Sequence, residues 1–210
     1  MPETALAFFH EFFRTLIEGD HQAFHLINQY LANPLFDLLM PFVTNLHNTI
    51  FLLIGLAVYS VFVQKMKAVK IILGMLMAVA CSDIFAAKVI KPLAHRQRPE
   101  FALKDTRLLV PSQKSFGFPS NHASNCFAAA SFLGAVIPQF RLIAWGIAAL
   151  VAFSRVYVGV HFPIDVFFGA LFGIFWGLLF FHLWYDQIVK QPASWNKDQP
   201  KRRGPRFGRR

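Results

Sequence analysis

The hydrophobic pattern of this chain is dominated by long runs rather than by alternation or a helical stripe. Residues 49–64, 71–87, 123–138, 142–160 and 163–184 are nearly free of charge. A membrane-spanning helix needs about 20 apolar residues, with about 17 at the short end. The pattern therefore predicts an all-α protein, a polytopic transmembrane helical bundle of five spans. A sixth span within residues 5–40 is the alternative, and it would bury Glu11, Arg14, Glu18, Asp20 and His21. Against it, Phe8, Phe9, Phe12, Phe13 and Leu16 recur at helical spacing with charged residues between them. That pattern predicts an N-terminal amphipathic helix lying in the membrane interface. Asn33-Pro34 should break it, and a second, shorter helix should lead into the first span.

Three parts follow: an N-terminal interfacial segment at 1–48, a membrane domain at 49–185, and a tail at 186–210. The tail is rich in Lys, Arg, Pro and Gly and reads as disordered. Charge changes the picture by giving it a direction. The turn at 65–70, the turn at 138–141 and the tail lie on one side of the expected bundle and hold twelve Lys and Arg. The positive-inside rule assigns that side to the cytoplasm. The polar loop at 88–122 opposes it with seven Lys and Arg against two acids, charges that have another use if the loop binds phosphate. The basic tail reads as a topology and lipid-surface signal, not a nucleic-acid site. Met1 and Glu3 precede a short Phe-rich segment with no small-residue cleavage site, so no secretory leader is expected.

Composition narrows the chemistry. Cys81 and Cys126 each sit within an apolar run and read as small buried hydrophobes. No Cys-x-x-Cys or His-Glu-x-x-His pattern occurs, so metal catalysis has no support in the sequence and no cofactor is expected.

What remains is polar chemistry hard against apolar sequence, in three clusters. They are Lys91 to Pro99, Pro119-Ser120-Asn121-His122, and Ser154-Arg155 followed by His161 and Asp165. Two spans separate His122 from His161, so all three clusters return to one membrane face. An unpaired charge at membrane depth is costly, which marks such groups as functional candidates. A carboxylate four residues after a histidine can accept its Nδ1–H and leave Nε2 as nucleophile or base. Ser120 or Asn121 can cap the next helix, whose first turn offers free N–H groups to an anion. His122 in that turn could protonate a leaving oxygen. Lys91, Arg98 and Arg155 supply positive charge, and Pro99 biases Arg98 out of the helix. Taken singly, each cluster has a plain reading: a capping Asp beside a bystander His, an ordinary cap, an Arg snorkelling to headgroups. Together on one face they form a receptor for a phosphate.

The set Lys91-x6-Arg98-Pro99, Pro119-Ser120-x-His122 and Ser154-Arg155-x5-His161-x3-Asp165 resembles the three-part signature of the type 2 phosphatidic acid phosphatase superfamily. Asn121 departs from the Gly found in many members. The resemblance implies that His161 attacks phosphorus and forms a phosphohistidine, that Asp165 orients it, and that His122 protonates the leaving group. It also implies that Lys91, Arg98, Ser120, Asn121 through its backbone, and Arg155 hold the phosphoryl oxygens without a metal. His95 and Arg96 are read either as contacts to a second phosphate or headgroup, or as solvated loop residues. The expected activity is dephosphorylation of a membrane lipid phosphate or diphosphate, with undecaprenyl diphosphate favoured. Phosphatidylglycerol phosphate, phosphatidic acid and lipid A are alternatives. A lipid phosphotransferase is a second enzymatic reading, and a membrane binding or transport protein with a relic phosphate site is the non-enzymatic one. The bilayer and the lipid phosphate are the expected partners. The expected location is the bacterial inner membrane, with the site facing the periplasm or exterior and the tail cytoplasmic.

Overall fold

The computed structural model describes residues 2–45 and 68–188. The first apolar run, 49–64, and the tail from 189 onward lie outside these residues, while 186–188, expected as the start of the tail, continue the last helix. Described elements are helical throughout. Helix α1 spans Pro2–His25 and ends in a wide π turn at Leu26–Tyr30. Asn33 then caps α2, Pro34–Thr44, its side chain accepting from Phe36 N at 2.9 Å. Pro34 fits the first turn of α2, where a missing N–H is no loss. The break expected at Asn33-Pro34 is where the chain turns.

Helix α3, Ala68–Ile84, runs through a π turn at Phe85–Ile90 into the short α4, Lys91–Ala94. The helical path thus continues past residue 88, where the sequence suggested a loop, because the run Phe85–Ala94 contains no residue that stops it until Pro92 is passed. After α5, Pro99–Ala102, an irregular segment leads to α6, Asn121–Val136. Helix α7, Arg141–Tyr157, and helix α8, Pro163–Ile188, complete the described chain.

Helix α6 is the centre of the bundle, packed against α3, α7 and α8. Its composition explains this position: Ala128, Ala129, Ala130, Ser131, Phe132, Leu133 and Gly134 are buried in succession, so every face is covered. A helix apolar or small all round belongs in the interior. The tightest contact is with α8. A Cβ built on Gly173 would lie 2.2 Å from the Ser124 carbonyl oxygen, and one on Gly177 would lie 2.5 Å from that of Ala128. Small residues at four-residue spacing let two helix backbones approach this closely in a membrane.

Three stretches among the described residues are long and apolar enough to cross a membrane: Val69–Ala102, Pro138–Tyr157 and Pro163–Asp186. Helix α6 is shorter at 16 residues, about 24 Å at 1.5 Å per residue. The N-terminal segment packs on the end of the bundle where the site lies. Phe24 of α1 meets Val156 and Phe162, and Met40 of α2 meets Tyr157, Val158 and Val160. By contrast Phe8, Phe9 and Phe13 are more than half exposed.

Candidate active site

The site is assembled where α4, α6, α7 and α8 reach the same end of the bundle. Lys91 enters from the first turn of α4, and its Nζ donates to the carbonyls of Phe116 and Pro119, both at 2.8 Å. These bonds tie α4 to the chain entering α6. Arg98 has extended backbone geometry, as a residue before proline should, and swings back over the bundle. Its Nε donates to Ser115 O at 2.7 Å and its Nη1 to Val160 O at 2.8 Å. Arg155, near the end of α7, is 5% exposed and donates to Thr44 of α2. The snorkelling alternative for Arg155 does not apply: the side chain is held inside, beneath α2.

His161 sits in the turn between α7 and α8. The turn is made possible by Gly159, whose φ of +88° is costly for other residues. Arg98 Nη1 lies 3.1 Å from His161 Nε2. A guanidinium can only donate, so Nε2 is the bare nitrogen and the ring proton is on Nδ1. Nδ1 faces Asp165 Oδ2 at 3.5 Å, within ion-pair range but outside hydrogen-bonding geometry. Burial, followed by the fields of Arg98, Arg155, Lys91 and His122, pushes the His161 imidazole well below the ordinary histidine range. A neutral ring with its Nε2 lone pair against Arg98, in the field of Arg155 and Lys91, is an electron-pair donor placed beside a cationic cluster.

Asp165 lies in the first turn of α8, fully buried, and its Oδ2 accepts from Phe162 N at 2.9 Å. Ser120 N donates to Asp165 O at 2.9 Å, which joins the start of α6 to that of α8. Ser120 is the N-cap of α6, but its Oγ makes no capping bond and is buried without a partner. Arg155 Nε is likewise buried and unpaired. The side chain of Asn121 turns the other way and donates to Asp83 Oδ1 of α3 at 2.8 Å, as does Asn125. His122, half-buried in the first turn of α6, makes no hydrogen bond among the described residues. Arg155, Arg98, Asp83 and Lys91 all lie within its electrostatic reach.

All eight residues singled out by the sequence thus converge on one end of the bundle, Asn121 with its side chain directed away from the cations. Sequence reasoning missed others. The role of Arg96 is one of them: it donates to Asp165 Oδ1 at 2.6 Å and to Asp20 of α1. His95 is exposed and packs edge-on against Phe116. Asp20 carried a readable signal: Phe24 and Asn28 follow it at four-residue spacing, and all three are buried on the side that packs against the bundle. Asp83, inside an apolar run, carried the same kind of signal.

Among the described residues no group of three His, Cys, Asp or Glu could hold a metal ion. Fold and site together define a helical integral membrane protein with a cationic, histidine-centred cluster at one end of its bundle. The chain belongs to the PAP2 superfamily, whose family model matches residues 67–188, more than half of the chain. It is 33% identical over 130 residues to a lipid A 4'-phosphatase of Bacteroides thetaiotaomicron, covering 54% of this chain and 56% of the relative. It is 36% identical over 122 residues to phosphatidylglycerophosphatase B of Bacillus subtilis, covering 52% and 56%. An undecaprenyl-diphosphatase of Sulfolobus acidocaldarius is 38% identical over 91 residues, covering 43% and 44%. The chain therefore spans about half the length of the curated relatives it matches. Among solved structures it is similar to the PAP2 type phosphatidylglycerolphosphate phosphatase from Bacillus subtilis, with a TM-score of 0.62 and 29% identity. That likeness covers 84% of this chain and 89% of the other. Aquifex aeolicus LpxE gives a TM-score of 0.61 at 29% identity, covering 77% and 93%.

Proposed function

We propose that this protein removes phosphate from a membrane lipid phosphate or diphosphate through a phosphohistidine on His161. The observation that carries the reading is the bare Nε2 of a buried, neutral His161, 3.1 Å from Arg98 and within the field of Arg155 and Lys91. The phosphoryl oxygens take up the donors of Arg98, Lys91 and Arg155, the Ser120 hydroxyl and the free N–H groups at the start of α6, near Asn121. As they do so, the Arg98 N–H leaves Nε2. The lone pair then forms an N–P bond while the P–O bond to the leaving group breaks. The bound phosphate offsets the charge of Arg155, Arg98 and Lys91 around His122 and lets that ring hold a proton, which the leaving oxygen takes, while Asp165 stabilises the charge gained by the His161 imidazole through Nδ1. Water next attacks the phosphohistidine and yields its proton to His122; the N–P bond breaks, and orthophosphate and neutral His161 are released. Donors already in place where charge develops supply the electrostatic part of catalysis. No metal is required in this sequence of steps.

Undecaprenyl diphosphate is the substrate we favour, in a bundle of five spans with α1 at the interface, the site facing the periplasm or exterior, and the tail cytoplasmic. The membrane domain is 49–185. Phosphatidylglycerol phosphate is the second reading, supported by the likeness to the phosphatidylglycerolphosphate phosphatase from Bacillus subtilis. The test is phosphate release by purified protein with EDTA present, on undecaprenyl diphosphate, phosphatidylglycerol phosphate, phosphatidic acid and lipid A side by side. A single preferred lipid, lost in His161→Ala, supports the reading. Equal release by the variant ends it, and a requirement for an added acceptor lipid favours phosphotransfer.

A further inference from the structure

The buried charges of the site do not end at Asp165. Arg96 Nη1 donates to Asp165 Oδ1 at 2.6 Å, and Arg96 Nη2 donates to Asp20 of α1. Both carboxylate side chains are fully buried, and the guanidinium is 23% exposed. The other oxygen of Asp20 accepts from Ile164 N at 2.9 Å, so an acid of α1 caps the first turn of α8. The Arg96 guanidinium also lies over the Phe162 ring, 4.6 Å from its centroid, and His21 stacks on that ring at 4.9 Å. Phe162 is the residue after His161, and its own N–H is bound by Asp165. Behind the His161 ring, Asp165 is therefore held from two sides, at Oδ2 by the Phe162 N–H and at Oδ1 by Arg96, and Arg96 is in turn tied to α1 through Asp20.

Charge makes the arrangement necessary. Two buried carboxylates sharing one guanidinium are each expensive to leave unpaired. Without Asp20, Arg96 can pivot out toward its exposed side; without Arg96, Asp165 keeps only the Phe162 N–H on Oδ2, and its buried Oδ1 is left without a partner and draws the carboxylate away from its present angle to His161. The planar guanidinium fork presents separate N–H groups to the two acids in a fixed geometry, whereas a lysine offers a compact point charge without that fork.

We propose that Arg96, held by Asp20, is a positioning residue for the Asp165–His161 pair, so that the seating of α1 on α8 sets the rate at which His161 reacts. The proposal rests on the phosphatase reading above and deepens it. The N-terminal helix becomes part of the catalytic apparatus without touching substrate.

The experiment uses the full chain in detergent and the lipid on which the wild type is most active. Arg96→Gln should lower kcat about 30-fold and leave KM within about threefold, since no phosphate contact is removed. Arg96→Lys should restore part of the loss. Asp20→Asn should lower kcat about fivefold to tenfold, and Asp20→Asn/Arg96→Gln should be no slower than Arg96→Gln alone, because Asp20 acts through Arg96. Arg14→Gln, which opens an exposed ion pair with Glu18 on the same helix, should leave kcat unchanged. Wild-type kcat in Arg96→Gln overturns the proposal, and so do losses that multiply in the double variant. Asp20→Asn keeps the test open if Arg96→Gln does not fold. A readout independent of turnover is ligand-induced thermal shift. Arg96→Gln should weaken orthovanadate, which needs a bond from Nε2, about tenfold, and leave inorganic phosphate within about twofold. Equal loss of both overturns the proposal. Failure of the phosphatase reading has a different signature: His161→Ala turning over like the wild type, or no phosphate release by the wild type on any lipid.

Discussion

His161 and His122 stand at the same end of the bundle, face the same cations, and are held in opposite ways. His161 is 2% exposed, with Arg98 against Nε2, Asp165 behind Nδ1, and a turn that only Gly159 permits. His122 is half-buried, with no hydrogen bond among the described residues. The contrast is what two-step phosphoryl transfer asks for. A nucleophile must be held in line with phosphorus, because misplacement by 1 Å can cost about 100-fold. A proton donor must follow the leaving oxygen of whichever lipid is bound and later meet a water. The rigid histidine is supported by α1, α5, α7 and α8; the loose one belongs only to α6.

The largest expected effect breaks the comparison at its rigid side. His161→Ala should lower phosphate release by a factor of about 10,000 or more, since in the proposed mechanism the N–P bond forms at its Nε2. A phosphate-release assay on lipid substrate checks this, and residual activity of a tenth would exclude His161 as nucleophile. His122→Ala should cost about 100-fold to 10,000-fold, and the loss should depend on the leaving group. An alcohol leaving from a phosphate monoester needs its proton; a lipid phosphate leaving from a diphosphate is already a good leaving group. The loss on phosphatidylglycerol phosphate should therefore exceed that on undecaprenyl diphosphate. Equal losses on both lipids would mean that His122 does something other than protonate the leaving oxygen.

Next in size is a change that should disturb one histidine and spare the other. A Cβ at Gly159 would lie 2.3 Å from Arg107 O, and the φ of +88° costs another residue about 1–3 kcal/mol. Gly159→Ala should shift the turn carrying His161, lower kcat more than about tenfold and lower the melting temperature by several degrees. Orthovanadate should bind more weakly to this variant than to the wild type, with a smaller change for inorganic phosphate. Unchanged kcat would show that the turn adapts and that the rigidity of His161 comes from Asp165 and Arg98 alone.

What the chain disclosed in advance divides along the same line. The runs that became α3, α6, α7 and α8 were legible because membrane helices write their length directly into composition. His161 and Asp165 were legible as a pair because a carboxylate four residues after a histidine, in the first turn of the helix that Pro163 begins, comes within reach of its ring. Their supports were not. Arg96 meets Asp20 from 76 residues away, Asn28 bonds the Tyr157 carbonyl from 129 residues away, and Asp83 reaches Asn121 across 38. Pairing at such separations leaves no period in the sequence, only isolated polar residues on apolar faces. The Asn121 position shows the limit well: a first-turn residue beside the anion site could be placed from the motif, but its side chain follows a partner in α3 that the motif does not contain.

The smallest expected effect is thermodynamic. The folded-state pKa of His161 is depressed, by burial first and neighbouring cations second, against about 6.5 in the unfolded chain. Above that value both states are neutral at this ring and it contributes no slope. Below it the unfolded chain binds a proton that the folded protein refuses, so stability falls with pH by at most about 1.4 kcal/mol per unit. The window runs from about pH 6.5 downward, until the folded ring itself protonates. Melting temperatures between pH 7.5 and 5 should fall in the wild type, and the fall should be shallower in His161→Gln, which cannot take up the proton in either state. The field that keeps the ring neutral comes from Arg98, Arg155, Lys91 and His122, and a bound phosphate would offset it. Saturating inorganic phosphate should therefore flatten the wild-type slope and leave that of His161→Gln almost as it was. Identical slopes in wild type and variant would mean that the neutral, buried state of His161 is not what the native fold imposes.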